Sequence, residues 1–173
     1  MQGRLSAITY PDQSGFYLYS NGVFSTVIVP VATGVTAQKI NNAGAVVGSY
    51  FDASNVEHGF LYANGNFATI DFPGARSTLA YGINNAGQIV GEYTDTNFVD
   101  HGFLDIGGIL MSFDMPGAKG TLAFGINDLG QVVGEGAGSY LAVETPEPSG
   151  LTLTALSMLA MLGWRVRRRG FDN

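Results

Sequence analysis

Cysteine is absent from all 173 residues. Disulfides, thiolate metal sites and a cysteine nucleophile are excluded together. Charge is scarce as well, at 13% of the chain. Basic residues are the scarcer sign: residues 1–149 carry four basic and thirteen acidic residues, a net of −9. Such a body is repelled by phosphate backbones, so nucleic acid is not an expected partner. No segment before Leu151 keeps a 3.6-residue apolar period, so no amphipathic helix is expected there. G-x-S-x-G, H-E-x-x-H, a phosphate loop and a dinucleotide fingerprint are all missing. Residues 1–14 offer Arg4 but no apolar h-region of a secretory leader. No cofactor and no metal site is expected.

Glycine, by contrast, is abundant, with 25 residues. Its distribution is periodic. Gly82-Ile83-Asn84-Asn85-Ala86-Gly87-Gln88-Ile89-Val90-Gly91 returns 43 residues later as Gly125-Ile126-Asn127-Asp128-Leu129-Gly130-Gln131-Val132-Val133-Gly134. An earlier copy runs from Lys39 to Gly48. His58-Gly59-Phe60-Leu61 returns as His101-Gly102-Phe103-Leu104, and Asp71-Phe72-Pro73-Gly74-Ala75 as Asp114-Met115-Pro116-Gly117-Ala118. A repeat of this length is the signature of solenoids, propellers and related arrays.

One copy reads as four short strands: Phe60–Ala63, Phe67–Phe72, Thr78–Ile83 and Gln88–Tyr93. Asn64-Gly65 is a two-residue hairpin of the primed kind. Pro73-Gly74 breaks the ladder. Asn84-Asn85-Ala86-Gly87 turns the chain back. The spacing predicts an all-β fold of tandem four-stranded repeats, propeller-like blades forming part of a ring, with a β-trefoil-like or prism-like body as the alternative. A C-terminal hydrophobic helix follows. The expected divisions are 1–14 (the end of a preceding repeat or an extension), 15–58, 59–101 and 102–140 (three repeats), 141–150 (a Pro-containing linker), 151–169 (the apolar helix with its basic stop) and 170–173. An array of three blades is too short for an ordinary ring. Three readings follow: further repeats and a leader precede Met1 in a longer protein, two chains combine, or the three units close as a trefoil-like or prism-like body; the start of the chain favours the first.

Candidate chemistry is thin. His58 and His101 occupy equivalent places one repeat apart, so they cannot share a metal. Each is expected to bond backbone. Asp71 and Asp114 are expected to cap the turn that follows them. The paired Asn residues are expected to be turn formers that tolerate the left-handed region. Tyr62, Phe67, Phe72, Tyr81, Tyr93, Phe103, Phe113 and Phe124 recur at strand positions and are expected to fill the space between sheets.

The last residues are different in kind. Pro146-Glu147-Pro148 is a rigid polar spacer. Leu151 to Trp164 is an uncharged stretch of 14 residues carrying Leu153, Leu156, Leu159 and Leu162. Arg165, Arg167, Arg168 and Arg169 end it. At ~1.5 Å per residue the stretch covers roughly 21 Å, short of the about 20 residues that span a bilayer. Its polar residues share no face, however, and its arginines and Trp164 suit an interface. An apolar helix stopped by arginines leaves its basic end in the cytoplasm.

Two resemblances follow from these residues. The tail, about residues 145–169, resembles the PEP-CTERM sorting signal. That resemblance implies recognition by an exosortase, a membrane protease-transpeptidase, in a Gram-negative bacterium, with an inner-membrane intermediate and then release to the cell surface or exopolysaccharide matrix. The body, from Gly15 to about Tyr140, resembles the HAF-type extracellular repeat, which implies no activity. Its first copy departs from the pattern: Ile28-Val29-Pro30-Val31 stands for D-F-P-G, and Ser14 for the histidine. The functional expectation is a non-enzymatic exported surface or matrix protein, with polysaccharide as a further partner. The alternatives are a lectin-like carbohydrate- or protein-binding module and a polysaccharide-active enzyme.

Overall fold

The computed structural model describes residues 14–136 and the backbone of 139–144. Among the described residues the fold is all-β, built of four antiparallel sheets of two to four strands, with no closed barrel. The first sheet is the hairpin β1 (Gly15–Ser20) and β2 (Val23–Ile28). The second is the meander β3 (Gly34–Ile40), β4 (Val46–Phe51), β5 (Glu57–Ala63) and β6 (Asn66–Ile70). The third repeats it as β7 (Ser77–Ile83), β8 (Ile89–Thr94), β9 (Asp100–Ile106) and β10 (Ile109–Phe113). The fourth holds β11 (Thr121–Ile126), β12 (Gln131–Gly136) and β13 (Ser139–Glu144). Sheet boundaries fall at the Pro-Gly turns, so residues 59–101 contribute two strands to one sheet and two to the next. The apolar C-terminal stretch lies outside the described residues.

Local chemistry explains the strand ends. Asn21-Gly22 and Asn64-Gly65 both have positive φ (51° and 81°, 52° and 80°), and Gly107-Gly108 does the same in the third hairpin. Two successive left-handed residues match the right-handed twist of the flanking strands. In the Asn-Asn-Ala-Gly turns the left-handed residue is the glycine, Gly44, Gly87 or Gly130, and not an asparagine. The expectation that these asparagines serve through backbone tolerance is corrected: they serve through their side chains, as described below. At the Pro turn of the first copy, Val31 holds φ 61° where later copies have glycine, a strained choice for a β-branched residue.

The first strand of each of the last three sheets carries a bulge that the repeat motif does not announce. The pairing of β3 with β4 skips Gln38, that of β7 with β8 skips Tyr81, and that of β11 with β12 skips Phe124. The glycine that closes each motif sits against this irregularity. A Cβ on Gly48, Gly91 or Gly134 would collide with the carbonyl oxygen of Thr36, Leu79 or Leu122. Gly82 is needed for a second reason: its missing side chain lets β7 approach Gly125 of β11 across the sheet-to-sheet gap.

Alternation along the strands makes the cores. Within the second strand of each sheet, neighbours face opposite ways. Val46 packs with Phe60 toward the first hairpin, where Phe16 and Leu18 meet them. Val47 packs toward the third sheet, among Ile70, Ala80, Ile83, Ile89 and Phe103. Val90 and Leu104 then meet Ala123 and Val132 of the fourth sheet. Phe60 and Phe103 are fully buried, each contributing ~2–3 kcal/mol of apolar burial. The expected burial of aromatics holds for Phe103. Tyr62, Phe67, Phe72, Tyr81, Tyr93 and Phe113 are partly buried, and Phe124 is exposed.

Candidate functional site

Asp52 begins the five-residue loop between β4 and β5. Its Oδ1 accepts the backbone N–H of Ser54 and of Val56, both at 2.8 Å. Those bonds, the Val56 one first, hold its carboxyl below the usual range despite some desolvation. The loop turns at Asn55, φ 62°, and delivers His58 onto β5. His58 Nδ1 lies 2.8 Å from Asp71 Oδ1, beyond the end of β6, and its Nε2 lies 3.6 Å from Asp52 Oδ2. Tyr50 stacks on the imidazole, with centroids 5.2 Å apart.

The next repeat rebuilds this cluster. Asp95 Oδ1 accepts from Asn97 and Val99. His101 Nδ1 is 3.0 Å from Asp114 and its Nε2 is 3.6 Å from Asp95. Tyr93 stacks on it at 5.0 Å. One element of the loop differs: Phe98 takes the left-handed place of Asn55 with φ 63°, and the Arg76 guanidinium lies 4.0 Å from its ring centroid.

Both histidines thus bond carboxylates and not backbone, which corrects the sequence expectation. Asp71 and Asp114 are correspondingly turned toward the histidines. The turns after them are held by threonines: Thr78 accepts from Phe72 N–H, and Thr121 from Met115 N–H. Sequence reasoning missed the Asp52 and Asp95 partners. The signal available was their shared spacing of six residues before each histidine.

Burial alone lowers the His58 pKa, but Asp71 and then Asp52 outweigh it and raise the value above its ordinary 6.5. Protonated, the imidazolium carries an N–H toward a carboxylate on each side; neutral, it keeps one lone pair. A general base needs a nitrogen within reach of the proton it removes. Here Nδ1 is hydrogen-bonded to Asp71 and Nε2 stands at ion-pair distance from Asp52, so the cluster ties the β4–β5 loop to the end of β6. Among the described residues no group of three or more His, Asp or Glu side chains is arranged to hold a metal ion.

An open cavity of about 250 Å³ with a mixed lining adjoins the first cluster, bounded by Glu57, His58, Asp71 and Arg76 on its polar side and by Val56 and Phe72 on its apolar side. Farther along, Tyr81 donates to Glu92 Oε1 at 2.9 Å. Desolvation raises the Glu92 pKa, and the carboxylates of Asp100 and Glu57 add to it. Its Oε2 is buried without a hydrogen-bond partner.

The motif asparagines form a polar system that runs through three sheets. Asn41 Oδ1 accepts from Ala43 and Ala45 N–H within its own turn. Its Nδ2 donates to the Asn84 carbonyl, and Asn84 Nδ2 donates to the Asn127 carbonyl, each at 3.0 Å and each spanning 43 residues. Alongside, Asn42 N–H donates to Asn85 Oδ1, and Asn85 N–H to Asp128 Oδ1, both at 2.9 Å. One side chain therefore closes a turn and joins two sheets.

The sorting residues expected from sequence, Pro146, Glu147, Pro148, Leu151, Leu153, Leu156, Leu159, Leu162, Trp164, Arg165, Arg167, Arg168 and Arg169, lie outside the described residues. Comparison with family models, with curated proteins and with solved structures returned no match for this chain.

Proposed function

We propose that this chain is an exported, non-catalytic repeat scaffold of a bacterial cell surface or extracellular matrix, sorted by its C-terminal tail through an exosortase-type enzyme. The observation that carries the scaffold reading is the asparagine ladder. The most repeated polar groups of the sequence bond sheet to sheet, and each repeated histidine ties its loop to the end of the fourth strand through an Asp at Nδ1, with a second Asp at ion-pair distance from Nε2. Repetition here serves cohesion, whereas a reaction needs unlike groups converging on one place. The destination rests on the tail sequence alone: a Pro-Glu-Pro spacer, an uncharged apolar stretch and four arginines in that order.

The sheets are read further as propeller-like blades in part of a ring. Supporting this, each later sheet lays its first strand across the sheet before it, β7 on β3, β4 and β5, and β11 on β7, β8 and β9. Among the described residues no comparable contact joins the fourth strands β6 and β10. Sheets stacked face to face in chain order are the arrangement of neighbouring blades.

Fractionation of tagged protein with and without residues 151–169 tests the sorting role. The intact form is expected at the membrane and then in the medium, and the truncated form loses the membrane-bound stage. Identical behaviour of the two forms would remove it. The second reading, a carbohydrate-binding module, is favoured by the cavity beside His58, Asp71 and Arg76. Its mixed lining and open mouth suit a sugar ring better than an apolar ligand.

A further inference from the structure

The described body is poor in cations. Lys39, Arg76 and Lys119 are the three basic residues of positions 14–136. Two of them, Arg76 and Lys119, stand 43 residues apart at the same place in consecutive repeats. Each follows the Pro-Gly turn that leads away from a His–Asp cluster. Each therefore belongs with a matching set: Glu57, His58, Asp71 and Phe72 with Arg76, and Asp100, His101, Asp114 and Met115 with Lys119. The first copy has Thr33 in place of the base, and Ser14 and Ile28 in place of His and Asp. Base and cluster are present together or absent together.

Neither cation is neutralised within the fold. Both are exposed, and among the described residues no carboxylate lies at ion-pair distance from either. Arg76 has a fixed place all the same, with its guanidinium 4.0 Å from the Phe98 ring centroid. Stacking occupies the flat face of a guanidinium and leaves the N–H fork in its plane available.

Arg76 also lines the cavity of about 250 Å³ beside His58, and the residues that bound this cavity, 56–58 and 71–78, are all described. Glu57 Oε1 accepts from Ser49 at 2.8 Å, and Asp71 Oδ1 lies 2.8 Å from His58. Each carboxylate keeps its second oxygen for a hydroxyl donor. Val56 and Phe72 supply an apolar wall. A cationic fork, a pair of hydroxyl acceptors and an apolar wall are complementary to a polyhydroxylated ring that carries an acid group. The volume lies below the ~300 Å³ at which pockets for drug-sized ligands begin, so the fit is to a single ring.

Resting on the carbohydrate-binding reading of this cavity, we infer that its ligand is an acidic sugar residue, a uronate, whose carboxylate meets Arg76 and whose hydroxyls meet Glu57 and Asp71. Lys119 with Asp100 and Asp114 repeats the set one period on. The chain thus offers an acidic polysaccharide a second site, and simultaneous engagement adds avidity.

Isothermal titration calorimetry of the full chain in a mild neutral detergent tests this, with oligomers of galacturonate, mannuronate and guluronate as probes. At least one should bind. Its methyl ester keeps ring and hydroxyls but loses the charge, and should bind about tenfold more weakly, as expected when a charge-assisted contact is lost. Arg76→Gln should weaken binding of the acid by a similar factor and leave the ester unchanged. Arg76→Lys should retain most of the affinity, because Lys119 fills that place in the next repeat. Lys39→Gln removes the same charge at the opposite end of its sheet and should change nothing. Both side chains are exposed, so none of these changes touches a core. Equal binding of acid and ester, indifferent to Arg76→Gln, overturns the inference and leaves a neutral-sugar site with the carbohydrate reading intact. An equal loss on Lys39→Gln overturns it by assigning the effect to net charge. Binding of poly-glutamate as tight as that of the uronates overturns it in favour of an acidic peptide. No binding of any uronate or ester removes the inference together with the reading it rests on.

Discussion

His58 shows what a single side chain contributes when two carboxylates hold it. Its folded pKa stands above the ordinary 6.5 because Asp71 and Asp52 outweigh partial burial. A group raised in this way adds stability in full below its unfolded value and loses it as pH rises through the folded value. Asp52 has the opposite sign: its carboxyl is held low, so its contribution is present above the ordinary carboxylate value and fades in acid. The two overlap in a mildly acidic window. His58→Asn should therefore lower the melting temperature most at about pH 5–6, and the difference from wild type should shrink above neutrality. An accessible ion pair contributes at most about 1 kcal/mol and is screened by salt, so the effect should also diminish in 1 M salt. Thermal melts across pH check both statements. A difference that stays constant through pH 8 would assign His58 to packing against Tyr50 alone.

At the scale of the element, the bulged first strand governs which residues the motif can contain. Gly91 lies opposite the bulge at Tyr81, where a side chain would strike the Leu79 carbonyl and the Phe103 ring. Gly91→Ala should cost about 1–3 kcal/mol, the range for overpacking a filled site, and denaturant melts would register it as a lowered midpoint. Gly87→Ala makes an informative comparison. It has open space around it but φ 78°, so its cost comes from the backbone, about 1–2 kcal/mol. Strand existence and hairpin type were legible in the sequence, because Asn-Gly pairs and period-2 alternation act over a few residues. The bulge was not. Its extra residue is Gln38, Tyr81 or Phe124 in turn, and no single side-chain type marks it. The histidine partners were half legible: Asp71 repeats with His58 in the motif, but Asp52 reaches His58 only once the β4–β5 loop has closed. The shift of sheet boundaries relative to the repeat unit was hidden for a different reason. A 43-residue period fixes the length of a unit and leaves its starting point free.

At the scale of the whole molecule, cohesion between sheets combines apolar faces with the asparagine ladder. Asn84 is 3% exposed and occupied on every side: Gln88 N–H donates to its Oδ1, and its Nδ2 reaches Gln88 Oε1 and the Asn127 carbonyl. Asn84→Ala leaves the Gln88 N–H and the Gln88 side chain without that partner, while the Asn127 carbonyl keeps the Gly130 N–H. A buried polar group so orphaned costs about 1–3 kcal/mol. The same change at Asn42 should be close to neutral, because only its backbone N–H enters the ladder. Hydrogen exchange gives a finer readout: Asn84→Ala should speed exchange in the turns at Asn41 and at Asn127 together, one repeat away on either side. Loss of protection confined to the Asn84 turn would show that the ladder does not couple the sheets. None of this coupling could be read from a linear sequence. The repetition of Asn was visible, but a turn former and a cross-link demand the same residue, and only the stacking of sheets separates the two roles.

Every rung of that ladder spans one period, and no rung depends on how many others exist. Inserting or deleting a whole 43-residue unit between two sheets restores each bond with the next equivalent residue and creates no unfamiliar contact. The architecture is thus indifferent to copy number. Its length can change in whole units by duplication within the coding sequence, while point changes inside a unit meet the close tolerances of Gly91 and Asn84.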